Sequence, residues 1–241
     1  MEKETSDQTS ILELHEIKHS FDGKRVLSEV SLVLTSNEIV AILGKSGSGK
    51  STLLQIINGL IKPDQGMVKL FGQPLDYSTI HAARLQMGYV IQQVGLFPHM
   101  SIQSNICLLG KISHQSKVSM VRRLNQLMDM VQLPTSCLKK YPHELSGGEQ
   151  QRVGICRAMF LNPPVLIMDE PFGSLDYETK RNIYRHLLLI QRNEPRTVVL
   201  VTHDWDEATI LADKFIWIEE GKVRAAGNKA ELGILKTSIF G

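Results

Sequence analysis

The stretch "ILGKSGSGKST" (42–52) constrains this chain more than any other part of its sequence. Residues 44–51 match the pattern G-x-x-x-x-G-K-[ST], directly after the apolar run "IVAIL" and leading into the helical pattern "STLLQIINGL". Glycines let the backbone wrap a phosphate chain so that several N–H groups point inward, and the following helix adds the positive end of its dipole. In this pattern Lys50 meets the β and γ phosphates and the Ser51 hydroxyl binds magnesium. The stretch therefore predicts a nucleotide-binding loop.

The apolar runs indicate an α/β fold whose core sheet is parallel or mixed. Three short runs are almost entirely apolar, as in strands buried on both faces: "IVAIL" (39–43), "PVLIM" (164–168) and "VVLV" (198–201). Three others alternate apolar and polar residues, which is typical of half-buried antiparallel strands: "ILELHEIKH", "VSLVL" and "MVKLFG". We expect a P-loop core sheet with an antiparallel β-subdomain.

A helical subdomain is expected to interrupt the core sheet over about residues 95–160, where the strand patterns disappear. Within "KVSMVRRLNQLMDMVQL" the apolar residues recur at helical spacing and form a stripe. The stripe comprises Val118, Val121, Leu124, Leu127 and Val131. Residues 1–10 look like a disordered tail, and 11–241 are expected to form one domain.

The composition excludes several classes of protein. Lys and Arg number 27 against 25 Asp and Glu, so the formal charge of +2 gives no strong field for nucleic acid. No run approaches the roughly 18 apolar residues of a membrane helix, and the N-terminus lacks a secretory signal. Cys107, Cys137 and Cys156 fit neither a disulfide framework nor a zinc site. We expect buried, reduced thiols in a cytosolic protein.

Polar side chains follow three of the predicted strands. Asp169 and Glu170 end "PVLIMDEP", where one carboxylate could hold magnesium and the other could activate water; alternatively they are a solvated pair at a strand end. His203 follows the apolar run within "LVTHDWDEA" and could contact a γ-phosphate. Alternatively it is only a residue at the entry of a helix, since Asp204 with Glu207 matches a capping box. Gln92 follows a short strand and could coordinate magnesium or orient water.

The stretch "HELSGGEQQRVG" (143–154) combines a helix start with a glycine turn. Ser146 and Glu149 have the S-x-x-E spacing of a capping box. Gly147 and Gly148 are not explained by capping, because each lowers helix propensity by roughly 1 kcal/mol relative to alanine. Close approach of a ligand to the backbone would explain them.

These motifs occur in one order that resembles the ATP-binding subunits of ABC transporters. The order is phosphate loop, Gln92, "LSGGEQQR", "LIMDE", "GSLD" and "VTHD", and the resemblance covers about residues 11–231. It implies ATP and Mg²⁺ as cofactors. Glu170 would be the catalytic base, His203 the switch histidine and Gln92 the coupling glutamine.

The resemblance also assigns binding roles. Phe21 would stack on adenine with Val26 nearby, and Asp176 would lie at the seam of a dimer. The phosphate cradle would be Gly44, Lys45, Ser46, Gly47, Ser48, Gly49, Lys50, Ser51 and Thr52. The magnesium ligands would be Ser51, Gln92 and Asp169. The signature residues Ser146, Gly147, Gly148 and Glu149 would contact ATP held by the other subunit, although many family members have glutamine at the position of Glu149.

The implied partners are a second ATPase subunit, expected to be identical, two membrane permease subunits and, indirectly, an extracytoplasmic solute-binding protein. The chain would lie on the inner face of the cell membrane and would bind no nucleic acid. "MGYVIQQVGLFPHMSIQSNI" looks especially like importer subunits for glycine betaine, carnitine and choline. That group often carries additional C-terminal CBS domains, and the chain stops soon after "AGNKAELG", so its regulation or its substrate would differ.

Two rival functions remain. One is an importer of polar amino acids or methionine, whose ATPases share most of these motifs. The other is a non-transport ABC ATPase of DNA repair or translation. Proteins of that class carry long coiled coils or two cassettes in one chain, for which 241 residues leave no room.

Overall fold

The computed structural model describes residues 9–92, 95–173 and 175–240, except the side chains of 238–240. Within these ranges the strands are β1 Ser10–Phe21, β2 Lys24–Thr35, β3 Ile39–Leu43, β4 Gln65–Leu70, β5 Gln73–Pro74, β6 Met87–Val90, β7 Val165–Asp169, β8 Thr197–Val201, β9 Lys214–Glu219 and β10 Lys222–Asn228. The α-helices are α1 Lys50–Ile57, α2 Ile80–Leu85, α3 Ile102–Ile106, α4 Leu108–Ile112, α5 Lys117–Met130, α6 Gly147–Met159, α7 Tyr177–Asn193, α8 Trp205–Leu211 and α9 Lys229–Phe240.

The strands form two sheets, as the two apolar patterns predict. A four-stranded antiparallel sheet has the order β2-β1-β4-β5. A six-stranded sheet has the order β10-β9-β3-β8-β7-β6, in which only β10 runs antiparallel to its neighbour. The three fully apolar runs are its central strands and are buried throughout. The predicted α/β class with a mixed core sheet and an antiparallel β-subdomain is confirmed.

Side chains of the central strands alternate between two apolar clusters. Val165 and Ile167 of β7 face the cluster that contains α1 and the antiparallel sheet. Leu166 and Met168 face the cluster that contains α5, α6 and α7. Because successive strand residues point to opposite faces, an uninterrupted apolar run is what a strand between two covered faces requires.

Parallel pairing brings three strand ends to one edge of the core sheet. Ile42 of β3 and Asp169 of β7 both pair with Val201, the last residue of β8. The phosphate loop follows β3 and Glu170 directly follows β7, while His203 is the second residue after β8. Ligands of open α/β sheets bind beyond the carboxyl ends of the strands, so this edge is the expected site.

Helices α3–α6 lie between β6 and β7, in the segment where helices were expected. The predicted stripe on α5 is only half correct. Leu124, Leu127 and Val131 are buried, whereas Val118 is 82% and Val121 52% exposed. Both valines belong to the first two turns of α5. Those turns contact the cluster through Met120, which lies at helical spacing to Leu124 and Leu127, so the buried face is turned away from the two valines.

The predicted tail and the cysteines are partly described by the structure. Of the predicted tail, residues 1–8 lie outside the described residues, and Ser10 already belongs to β1. The three cysteines are free and buried, as expected. In the described ranges, no helix combines the length and apolar character needed to cross a membrane.

Candidate nucleotide-binding and hydrolysis site

The loop 44–49 connects β3 to α1 and is organised around Lys50. The ammonium of Lys50 donates to the carbonyl oxygens of Gly44 at 2.8 Å and Lys45 at 2.9 Å, so the first residue of α1 is tied to the start of the loop. Lys45, Ser46 and Gly47 are exposed, while 48–50 are buried. The loop therefore presents its outer turn to solvent while its lysine stays inside.

Two glycines of the loop are required by close packing. A Cβ on Gly44 would lie 2.2 Å from the carbonyl oxygen of Ile218 in β9. Gly49 has a φ of +100°, and a Cβ there would lie 2.9 Å from the carbonyl oxygen of Val26 and 2.8 Å from Leu27. Val26 thus packs against the loop at Gly49, and its expected place near the adenine stays a prediction.

Phe21 ends β1 and is 46% exposed. Its ring meets the buried imidazole of His19 edge to face, with centroids 4.7 Å apart. His19 Nδ1 lies 3.2 Å from Asp64, which also accepts from the backbone N–H of Ser20 at 2.8 Å. The aromatic face of Phe21 is therefore available on a fixed strand end, although no described contact joins it to the phosphate loop.

Asp169 brings a buried carboxylate to the start of α1. The Ser51 hydroxyl donates to Asp169 Oδ1 over a long 3.4 Å. Burial raises the pKa of Asp169 above its ordinary value and the Glu170 charge adds to this, while the Ser51 hydrogen bond and the Lys50 charge oppose it. Burial likewise lowers the pKa of Lys50, against the attraction of Glu170 and Asp169. The site thus holds one buried cation against two carboxylates.

Glu170 is held between Gln92 and His203. Its Oε2 accepts from the Gln92 amide at 2.9 Å, and its Oε1 lies 3.1 Å from His203 Nδ1. The Glu170 backbone has a φ of +46°, a left-handed conformation that is uncommon for residues other than glycine. The His203 ring is 68% exposed. Three residues that sequence reasoning singled out separately thus meet at one carboxylate.

The turn that carries His203 is fixed by hydrogen bonds that sequence reasoning did not predict. Thr202 Oγ1 donates to Glu207 at 2.6 Å and accepts from the backbone N–H of Asp204 at 3.0 Å. Asp204 caps α8 as predicted. The predicted reciprocal capping by Glu207 is wrong, because its carboxylate is occupied by Thr202 and, at 2.9 Å, by Lys180 of α7. Nothing in the sequence indicates this pairing, since Lys180 lies 27 residues away.

The motif around Ser146 forms a complete capping box at the start of α6. Ser146 Oγ accepts from the backbone N–H of Glu149 at 3.3 Å, and Glu149 Oε2 accepts from the backbone N–H of Ser146 at 2.8 Å. That backbone hydrogen bond is the largest of the effects that lower the pKa of Glu149. A Cβ on Gly147 would meet nothing within 4 Å. Among the described residues no hydrogen bond or ion pair links 146–149 to the phosphate loop.

Asp176 lies immediately before α7 and caps it, accepting from the backbone N–H of Thr179 at 2.9 Å. Hydrogen bonds from Thr179 lower the pKa of Asp176. The neighbouring Ser174 of "GSLD" lies outside the described residues. The described hydrogen bonds of Asp176 therefore serve to start α7.

The donor set fits a nucleotide phosphate chain with a bound divalent cation. Lys50 and the N-terminus of α1 supply positive charge, and the loop glycines allow close approach of backbone N–H groups. In the described ranges no cluster of three His, Cys, Asp or Glu side chains could hold a metal by itself. Ser51 and Asp169 offer two oxygens, which suits Mg²⁺ because this ion is usually shared with phosphate oxygens and water.

The fold and this loop define a P-loop nucleotide-binding protein. The family model described as "ABC transporter" matches residues 27–173. The chain belongs to this family of ATPases, and the resemblance deduced from the order of its motifs is confirmed.

Curated relatives and a solved structure agree with this assignment. The glycine betaine/carnitine/choline transport ATP-binding protein OpuCA of Bacillus subtilis is 38% identical over 92% of this chain and 59% of its own length. The glycine betaine uptake system ATP-binding protein YehX of Escherichia coli is 38% identical over 90% of this chain and 71% of its own. The ATP-binding cassette MJ0796, a dimer bound to ADP and Pi, has a TM-score of 0.86 and 31% identity, covering 91% of this chain and 99% of that one.

Proposed function

We propose that this chain binds and hydrolyses ATP within a pair of cassettes that powers an ABC importer. Each ATP would be held between the phosphate loop of one chain (44–52) and the signature residues of the other (146–149). The best-supported cargo is a quaternary amine osmoprotectant. An importer of polar amino acids or methionine is the alternative.

One observation carries the catalytic part of the proposal, namely the carboxylate of Glu170 between Gln92 and His203. A general base must be oriented and must lie within reach of the attacking water. Contacts of 2.9 Å to an amide and 3.1 Å to an imidazole orient both oxygens of Glu170 at the edge of the sheet that carries the phosphate loop. A solvated pair of strand-end carboxylates would not need these partners.

The proposed chemistry assigns one task to each group. Glu170 accepts a proton from water as the water oxygen attacks the γ-phosphorus, and the bond from that phosphorus to the ADP oxygen breaks. Lys50 neutralises the β and γ phosphates, and His203 contacts the γ-phosphate or the attacking water. Ser51, Asp169 and Gln92 would hold Mg²⁺, which when bound would neutralise charge on the phosphate oxygens. Phe21 and Val26 bind the adenine side, and Asp176 lies at the seam.

The capping box supports the shared-site part of the proposal. Glu149 returns its carboxylate to the backbone N–H of Ser146, and the space beside Gly147 is open. The N-terminus of α6 therefore offers backbone N–H groups and a positive dipole end for a phosphate, as helix N-termini commonly do. Because no described contact joins it to the chain's own loop, a second chain is the proposed source of that phosphate.

The transport assignment rests on the relatives. Both curated relatives are named as ATP-binding proteins of uptake or transport systems for quaternary amines. The proposed partners are an identical chain, membrane permease subunits and, indirectly, a solute-binding protein outside the membrane. The chain would then lie at the inner membrane face. Since the cargo does not touch this subunit, the cargo is inferred only from the relatives.

The test of hydrolysis is Glu170→Gln. A glutamine amide can still hydrogen-bond to Gln92 and His203, but it cannot act as the base. ATP turnover should fall roughly 10²–10⁴-fold while nucleotide binding is retained. Lys50→Ala is the matched variant, and it should lose nucleotide binding itself. Turnover retained by Glu170→Gln, measured as phosphate release, would remove Glu170 from its role.

The test of the cargo is uptake by cells with and without the subunit. Labelled glycine betaine, choline and methionine are supplied separately, and the Glu170→Gln chain serves as the inactive control. Loss of quaternary amine uptake alone supports the proposal. Loss of methionine uptake alone would favour the alternative.

A further inference from the structure

The ion pair between α7 and α8 lies just behind the catalytic contacts. Lys180 Nζ lies 2.9 Å from Glu207 Oε1 and 3.6 Å from Asp204 Oδ2. The side chain of Lys180 is 19% exposed and that of Glu207 only 4%. Burial lowers the pKa of Lys180, but the hydrogen bonds and charges of Glu207 and Asp204 together outweigh this effect and raise the pKa above its ordinary value. Removing one partner of a buried pair leaves the other charge unpaired, so the pair favours one arrangement of the two helices.

Each end of this pair leads to a residue of the proposed site. Lys180 is in the first turns of α7, and its backbone N–H donates to the carbonyl oxygen of Asp176 at 2.9 Å. Glu207 holds Thr202 at 2.6 Å, and Thr202 immediately precedes His203. Thr202 is 2% exposed and cannot exchange its partner for bulk water without opening the turn.

We propose that Lys180 is a positioning residue, which through Glu207 and Thr202 holds His203 in contact with Glu170. Because Lys180 is also hydrogen-bonded to Asp176, it links the position of His203 to that of the Asp176 turn. This inference rests on the proposed roles of Glu170 and His203. Displacement of the Asp176 turn, for example when a second chain docks there, is transmitted through the pair to the turn that carries His203. An anchor that only stabilised helix packing would have no effect on turnover per folded site.

The test is Lys180→Met, compared with Lys180→Arg. Lys180→Met should lower kcat roughly 10–100-fold, the usual cost of losing an outer partner of a catalytic group, with little change in the Kd for ATP. Lys180→Arg retains the charge and should restore most of kcat. The matched control is Lys236→Met, which removes an exposed pair with Asp206 at 3.7 Å and should leave kcat unchanged. All rates are normalised to the fraction of sites that bind nucleotide.

Two further variants separate positioning from stability. Lys180→Met combined with Glu207→Leu removes both charges, so it should fold and still show the reduced kcat. Lys180→Met added to His203→Ala should cause no further loss, because both act on the same contact. Wild-type kcat in the double-charge variant, or independent losses in the combination with His203→Ala, would overturn the inference. If His203→Ala and Glu170→Gln both retain turnover, the proposed function fails instead.

Discussion

At the scale of single residues, the buried negative charge of Asp169 lowers the free energy of unfolding. Its pKa is raised, chiefly by burial, so its charged form is disfavoured relative to the unfolded chain. For a carboxyl with a raised pKa, the contribution to stability is greatest below the ordinary pKa of 3.8 and is lost as the pH rises through the folded pKa. At neutral pH this cost is fully present.

Asp169→Asn should therefore raise the melting temperature of the metal-free protein at pH 7 by a few degrees and abolish hydrolysis. The measurement is thermal unfolding in chelator at pH 7 and at pH 4, where the gain should shrink because the wild-type carboxyl becomes protonated. A variant that melts lower than wild type at both values would contradict the assignment of a cost to this charge.

Gly49 and Gly47 are a matched pair for testing the loop. Both have positive φ, but a Cβ on Gly49 would overlap Val26 and Leu27, whereas a Cβ on Gly47 would meet nothing within 4 Å. Gly47→Ala should cost only the left-handed strain of about 1–2 kcal/mol. Gly49→Ala should cost more and should also weaken ATP binding, because the turn that leads into Lys50 must shift. Fluorescent nucleotide titration and chemical denaturation measure the two effects, and equal losses would contradict the packing argument.

Residue-level prediction from sequence succeeded where one residue type has few physical uses. The G-x-x-x-x-G-K-[ST] loop was identified because its glycines follow an apolar strand and precede a helix. The polar residues at the ends of buried strands were identified because they directly follow fully apolar runs. The pairing of Lys180 with Glu207 was missed because a salt bridge between residues far apart in sequence has no local pattern. The same limit applies to Ile218, whose carbonyl excludes any side chain from Gly44.

At the scale of elements, the capping box at Ser146 accounts for the start of α6, but it does not account for Gly147, which lies beside open space. Gly147→Ala should leave the melting temperature unchanged or slightly higher, since alanine has the higher helix propensity and the space is empty. ATP hydrolysis by the paired chains should nevertheless fall, because the added methyl group would obstruct the approach of a phosphate from the second chain. Full activity in Gly147→Ala would show that no ligand approaches this glycine closely.

Glu149→Gln is the control on the same turn. Glutamine can still accept from the backbone N–H of Ser146, so the helix start should survive. Because the Glu149 charge is turned back on its cap, hydrolysis should change little. A large change in phosphate release, in either direction, would mean that the carboxylate acts on the nucleotide.

Elements were predictable where burial leaves a periodic pattern. The three uninterrupted apolar runs became the central strands because both of their faces are covered. The helical pattern of α5 was read correctly, but its buried face was not, since that face runs from Met120 through Leu124 and Leu127 and leaves Val118 and Val121 exposed. Apolar residues spaced three apart drift around a helix of 3.6 residues per turn, so this spacing alone does not define which of them face the core.

At the scale of the whole molecule, a shared site makes a prediction that no single-chain site can satisfy. A Lys50→Ala chain has a broken phosphate loop and an intact signature, while a Gly147→Asp chain has the reverse. Neither should hydrolyse ATP alone. Mixed in equal amounts, half of the randomly formed pairs are heterodimers with one intact site of two, so about a quarter of the wild-type rate should return.

The measurement is phosphate release at a fixed total concentration as the ratio of the two variants is varied. The recovered activity should be greatest at equal amounts and should fall toward zero at either end. Circular dichroism of each variant alone establishes that both are folded. No recovery at any ratio, with both chains folded, would count against the composite site.

The family was predictable at this scale because the order of its motifs is long and specific, whereas the paired assembly was implied only by the resemblance and is not visible in the fold of one chain. Nothing in the described contacts of 146–149 points to a second chain directly. The proposal of a second chain rests on an open, dipole-bearing helix start for which the described residues offer no contact with the chain's own phosphate loop.

The burial of all three cysteines has a practical consequence for measuring the movement of two paired chains during ATP turnover. Cys107, Cys137 and Cys156 are 4%, 1% and 0% exposed, and burial raises the pKa of Cys107 and Cys156, which keeps these thiols protonated. The native chain is therefore a quiet background for maleimide chemistry. A single Val118→Cys on the exposed face of α5 would accept a dye or spin label without prior removal of native thiols. Distances between labels on two chains could then be recorded throughout a turnover cycle.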